Sequence, residues 1–117
     1  LPSLIRAKKL QKRAARIGFD WNDTNKVINK IEEELEELKT EHSNNNKEKI
    51  AEEVGDVLFT IVNLTRHYDL DPEDIMRRSN LKFEQRFKAM EKFAQKNNME
   101  LAGRSVEQLE EVWQKIK

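Results

Sequence analysis

At 117 residues, 38% of them charged, the chain is expected to form one helical domain with a modest core. Its 22 basic and 22 acidic side chains cancel, which argues against a general nucleic-acid binder, because binding to a phosphate backbone needs a net basic surface. The lack of cysteine excludes a disulfide framework and thiolate chemistry; no run of about 18 apolar residues is present to span a membrane and no signal peptide opens the chain, so the cytoplasm is the expected location.

With 3 glycines, 2 prolines and no alternating strand pattern, the sequence reads as all α, with five helices. The first runs from about Ser3 to Ile17 and is closed by Gly18. The second starts after Asp23 or Thr24 and ends near His42. Ser43, Asn44, Asn45 and Asn46 then form a loop signature that would fold the second helix back on the third, which spans roughly Lys47 to Tyr68. The fourth starts at Asp71 as cap, with Pro72 in the first turn, and continues to about Lys96. The last opens at Ser105, with Gln108 three residues on to complete a capping box.

Periodicity assigns faces to these helices. At about 100° per residue, Val27, Ile31, Leu35 and Leu38 line up as an apolar stripe with Glu34 at its edge and Glu37 further round. On the third helix Ile50, Val54, Val57, Leu58, Ile61 and Leu64 make the main stripe. Phe59 and Val62 fall on other sides, so its second half is apolar nearly all round and is expected to be mostly buried. A partner subunit is expected to complete the core, with a two-fold dimer as the prior.

The chemistry is concentrated in two acidic strings, Glu33, Glu34 and Glu37 in EELEE, then Glu53 and Asp56 in EVGD. Each sets carboxylates three or four residues apart, so one helix turn brings them to one side, and the intervening loop would bring both groups together. A run of glutamates on a helix is more often a solvated face, and Glu32 and Glu36 point away from the apolar stripe. A solvated face does not explain a second acidic pair opening a hydrophobic helix one hairpin away. Carboxylates taken from water must be paired, protonated or bound to metal, and an oxygen-lined cage for a hard divalent cation is the economical reading. Gly55, between them, would allow close approach of a helix or ligand.

At this point the chain resembles the MazG-type nucleoside triphosphate pyrophosphohydrolases of the all-α NTP pyrophosphatase superfamily, marked by an EExxE helix followed by an ExxD helix. The likeness covers nearly the whole chain: FDW at Phe19 to Trp21, the acidic strings, NLKFEQRF at Asn80 to Phe87 and EEVWQKIK at Glu110 to Lys117. It implies a four-helix-bundle-like fold, and a single domain over residues 1–117. It also implies Glu34, Glu37, Glu53 and Asp56 as ligands of Mg2+, with Mn2+ as a substitute, and Glu33 and Glu52 as nearby acidic members. Lys82, Arg86, Trp113 and Lys117 look like substrate-side residues, with Lys30 and Lys49 beside them. Some relatives carry two such domains in tandem, and a chain beginning with Leu1 looks like the C-terminal one.

Several of these residues read two ways. Lys82 and Arg86, at i and i+4, form either a phosphate-binding ledge or a solvated basic face beside Phe83 and Phe87. Trp113, in the stripe of Val106, Leu109, Val112 and Ile116, is either a base-stacking ring or a core anchor. Trp21 either lids a base pocket or staples the first loop. His42 and His67 show no ligand spacing, and Asn63 is a buried hydrogen-bond anchor or a base reader. The expected reaction is hydrolysis of a nucleoside triphosphate to monophosphate and pyrophosphate by water attack at the α-phosphorus. Glu33 or Glu37 would take the proton, and Lys82 and Arg86 would stabilise phosphate charge. The alternatives are a narrower substrate, such as a deoxypyrimidine triphosphate or phosphoribosyl-ATP, and a non-catalytic helical module with a structural metal.

Overall fold

Local capping chemistry sets where four of the five helices begin, α1 alone starting, after Pro2, without a side-chain cap. In the computed structural model, which describes residues 2–117, the order is α1 (Ser3–Arg16), α2 (Thr24–Asn44), α3 (Lys47–His67), α4 (Pro72–Lys96) and α5 (Val106–Lys115), with no strand among the described residues. Asp23 caps α2 by accepting from the Asn25 backbone N–H at 2.9 Å, and Asp71 does the same for Glu73 at the head of α4. Ser105 and Gln108 form the reciprocal capping box expected for α5. Gly18 ends α1 with φ +87°, a conformation that costs a residue without a Cβ little.

The α2–α3 turn is tighter than the four-residue loop signature suggests. Ser43 and Asn44 continue α2, Asn45 alone takes the left-handed conformation at φ 56°, and Asn46 caps α3 through the Lys49 backbone N–H. An asparagine tolerates that conformation because its short polar side chain bonds locally. The two helices fold back against each other, α1 packs on the same α3, and all three belong to a unit ending at Ile75. Val27 of α2, fully buried, and Val62 of α3 form its apolar centre.

Burial departs from the sequence reading on two faces. On α2, Leu35 is 41% exposed while Glu34 is 7% exposed. The helical wheel explains this: Glu34 lies about 20° from Val27, whereas Leu35 lies about 80° from it, so the carboxylate occupies the stripe and the leucine its margin. On α3, Thr60, Val62 and Asn63 are buried, but Val54, Leu58, Phe59 and Ile61 are exposed, against the expectation of a mostly buried helix. α1 and α2 cover α3 on their own side only, and a helix apolar all round needs more neighbours than that. No helix approaches Gly55 closely, since a Cβ built there meets nothing within 4 Å.

The second unit, Met76–Lys117, holds most of α4 and all of α5. Met90 and Ala94 of α4 and Val112 of α5 are buried. Phe83 joins the two helices, its ring 5.3 Å from Trp113 and 6.0 Å from Phe87. No helix among the described residues is long and apolar enough to cross a membrane.

Candidate metal centre and its surroundings

Three of the expected ligands meet across the α2–α3 hairpin. Glu34 and Glu37, one turn apart on α2, and Glu53, in the second turn of α3, each place a carboxylate oxygen within 4.8 Å of the others. Glu34 is buried, Glu53 half-buried and Glu37 exposed, so the cluster opens to solvent on the Glu37 side. Asp56 is exposed and lies outside this group, one turn further along α3; its backbone carbonyl accepts from Thr60 Oγ1 at 2.8 Å.

Charge in the cluster is partly balanced from within. Lys30 Nζ lies 3.0 Å from Glu34 Oε1 and 3.5 Å from Glu33 Oε1, so Lys30 stands as the counter-ion of the carboxylates. The Lys30 ammonium holds Glu34 below the usual carboxylate range against the opposing effect of burial, and Glu34 in turn raises Lys30. Glu53 goes the other way. Burial, then the neighbouring carboxylates Glu34 and Glu37, push it up to about 7. One side-chain oxygen of Glu34 and one of Glu53, Oε2 in each case, are buried with no hydrogen-bond partner. Buried acceptors without donors, arranged as a group of hard oxygen ligands, fit a divalent cation such as Mg2+ or Mn2+.

The expected substrate-side residues are distributed differently. Arg86 and Trp113 meet within the second unit: the guanidinium carbon lies 4.2 Å from the centre of the indole ring, and Nη2 donates to the Trp113 carbonyl at 2.7 Å. That carbonyl is in the last turn of α5, where intrahelical donors run out, so Arg86 satisfies a helix terminus as well as stacking on its tryptophan. Arg86 Nε is buried with no partner. Lys82 and Lys117 are exposed, and Lys49 is exposed in the first turn of α3.

The groups with two readings resolve in part. Asn63 is a buried anchor, its Oδ1 accepting from Arg66 Nε at 3.0 Å and Nη2 at 2.9 Å. His67 is not isolated: its Nε2 lies 3.0 Å from Asp20 Oδ1, which also pairs with Arg66 Nη2 at 2.6 Å. Burial raises the Asp20 carboxyl, but its bonds to Arg66 and His67 outweigh that and leave it below its ordinary value. Trp21 is 39% exposed beside a cavity of about 390 Å³. Sequence reasoning missed Gln11, which is 7% exposed and donates from Nε2 to the Phe59 carbonyl at 2.8 Å. The available signal was an amide in an apolar position, seven residues after Leu4 and three before Ala14 on the same helix face.

The scaffold is thus all α, with glutamates from two antiparallel helices converging on one point. The family model described as phosphoribosyl-ATP pyrophosphohydrolase matches residues 4–83, and the chain belongs to that family as a MazG-like domain. Over its full length it is 43% identical to the nucleoside triphosphate pyrophosphohydrolase/pyrophosphatase MazG of Thermotoga maritima. It is 41% identical, again over its full length, to the nucleoside triphosphate pyrophosphohydrolase of Escherichia coli K12. The chain spans 45% of the length of each of these curated relatives.

Proposed function

We propose that this chain hydrolyses nucleoside triphosphates to the monophosphate and pyrophosphate with the help of a divalent metal, in the cytoplasm and as a homodimer. The observation that carries this reading is the convergence of Glu34, Glu37 and Glu53, with two buried oxygens that have no partner and one carboxyl raised to about 7. The names of the full-length matches support the reaction class.

Glu34, Glu37 and Glu53 would hold the metal, with Asp56 as the further ligand that the resemblance implies. When bound, the cation neutralises phosphate charge and lowers the pKa of water. The oxygen of a water molecule bonds to the α-phosphorus as the bond from that phosphorus to the bridging oxygen breaks, and pyrophosphate leaves. Glu33 or Glu37 accepts the proton of the attacking water. Lys30, the counter-ion of Glu34 and Glu33, would be the ammonium nearest the cluster for a phosphate oxygen. Lys49, in the first turn of α3, would supply positive charge to the phosphates; in the second unit Arg86, stacked on Trp113, with Lys82 and Lys117, would be phosphate-binding groups by resemblance to the family.

A pyrophosphate-release assay over ribo- and deoxynucleoside triphosphates, with and without Mg2+, tests the proposal. Metal-dependent release of pyrophosphate and monophosphate is the expected result, and no release from folded protein would overturn it. Glu37→Gln and Asp56→Asn should each lower turnover by about 100-fold or more with the helical content unchanged. Full activity in both variants would remove the metal-site assignment. A narrower reading is favoured by the name of the matching family, so phosphoribosyl-ATP belongs in the panel.

A further inference from the structure

The net charge of zero conceals an uneven distribution. α1 carries six of the 22 basic side chains, Arg6, Lys8, Lys9, Lys12, Arg13 and Arg16, and none of the 22 acidic ones. The helix packs on α3 through the side that holds buried Gln11, with half-buried Leu4, Ala7 and Ala14 beside it. At about 100° per residue, Arg6, Lys9, Lys12, Arg13 and Arg16 fall within an arc of about 120° that faces away from Gln11, and all five are exposed. From Arg6 to Arg16 this cationic face runs about 15 Å.

Two observations separate this face from an ordinary solvated one. Its charge is not balanced: among the described residues none of the five cations has an ion pair, and the pairs of this unit fall to Lys30, Lys39, Arg66 and His67 instead. The helix is also less stable for carrying them. Lys9 and Arg13, like Lys12 and Arg16, are like charges one turn apart, and Arg6 stands in a first turn that has no acid to offset the positive end of the helix dipole. Only Arg13 and Arg16, in the last turn, suit that dipole. Repulsion left standing along one exposed line is relieved by an anion whose own charges repeat along a line.

We infer that the outer face of α1 binds the phosphate backbone of a nucleic acid, without regard to base sequence. Successive phosphates of one strand advance about 3.4 Å along a duplex axis, so a face about 15 Å long meets about four of them. The three arginines can hold phosphate oxygens with their planar forks, and the two lysines act as point charges between them.

Other polyanionic partners fit this face less well. Within α1 the arc holds no exposed apolar side chain, whereas the centre of a protein interface is apolar and poor in lysine. The apolar side of α1 is taken up by α3, so none of it is free to enter a bilayer. The neutrality of the whole chain does not govern the face either. At physiological salt charges are screened beyond about 8 Å, so a bound strand responds to the cations it touches more than to the total.

The test is fluorescence anisotropy of the intact chain, free of divalent metal, with a labelled mixed-sequence oligonucleotide of about 20 nucleotides as single-stranded DNA, duplex DNA and RNA, while salt is raised. Micromolar binding of at least one form at about 50 mM salt is expected, with log K falling against log salt at a slope of about −4. Lys9→Gln and Arg13→Gln should each reduce that slope by about 1 and, by removing repulsion, raise the melting temperature of the free chain. Lys9→Glu with Arg13→Glu should weaken binding by more than about tenfold and leave pyrophosphate release from a triphosphate unchanged, since neither residue belongs to the carboxylate site. No binding of any form, a slope shallower than about −1, or binding that charge reversal leaves intact overturns the inference. Tighter binding to phosphatidylserine vesicles or to a polyglutamate peptide than to every oligonucleotide overturns nucleic acid as the occupant. Should charge reversal unfold the chain, the salt slope of the unaltered protein and the two single glutamine variants still decide.

Discussion

Ionising Glu53 beside Glu34 and Glu37 opposes folding, and the pH dependence of stability should carry that sign. Its carboxyl titrates near 4.5 in an ordinary setting and near 7 in the fold, so the folded chain holds the extra proton between those values. Stability from this group is fully present below about 4.5 and is lost as pH rises through about 7. Thermal melts of the metal-free chain should show this decline, and Glu53→Gln should flatten it. Because a metal ligand must be deprotonated, stabilisation by Mg2+ should grow as pH rises through the same value. Melting shifts with Mg2+ that are equal on both sides of neutrality would contradict the assignment of Glu53 to the metal. Asp20 has the opposite sign: its depressed carboxyl adds stability above its ordinary value of 3.8 that disappears as pH falls through the folded value. Asp20→Ala should cost about 1 kcal/mol in denaturant unfolding, the pair being partly screened by solvent.

Element boundaries came through in the sequence wherever a single side chain closes a backbone hydrogen bond. Asp71 and Ser105 were readable as caps, and Asp23 as one of two candidates, because the bonds they make are two or three residues long. The α2–α3 turn was placed correctly but drawn too long, because serine and asparagine signal a turn without stating how many of them remain helical; Ser43 instead bonds back to the Lys39 carbonyl. Ser105→Ala should lower stability by about 1 kcal/mol through loss of the α5 cap. The same change should loosen the first turn of α5, about two turns before the Trp113 carbonyl on which Arg86 rests. An increase in KM for triphosphate larger than the stability loss accounts for would show that α5 positions Arg86, and an unchanged KM would show that it does not.

For the whole molecule, the exposed Leu58, Phe59 and Ile61 on one helix support association, since exposed apolar side chains grouped on an element mark interaction surfaces. Sedimentation should give a dimer, and Leu58→Asp should shift it to monomer with the helical content retained. A wild-type monomer at micromolar concentration would contradict the dimer proposal. The division of the chain at Ile75 had no counterpart in the sequence, because α4 runs through it without a glycine or proline to mark a boundary.

By itself, the sequence determined five helices, their caps and the spacing that puts carboxylates on one side of α2 and α3. These depend on backbone geometry repeating over a few residues, which residue type reports directly. Only the tertiary structure decided that Glu34 lies inside the stripe and takes Lys30 as counter-ion, that Glu34, Glu37 and Glu53 meet, and that Arg86 stacks on Trp113. It alone revealed Gln11 and the cavity beside it, which require α1 and the Phe19–Trp21 loop to meet α3 some 48 residues away. Such meetings are set by how whole helices pack, and no window of local sequence carries that information.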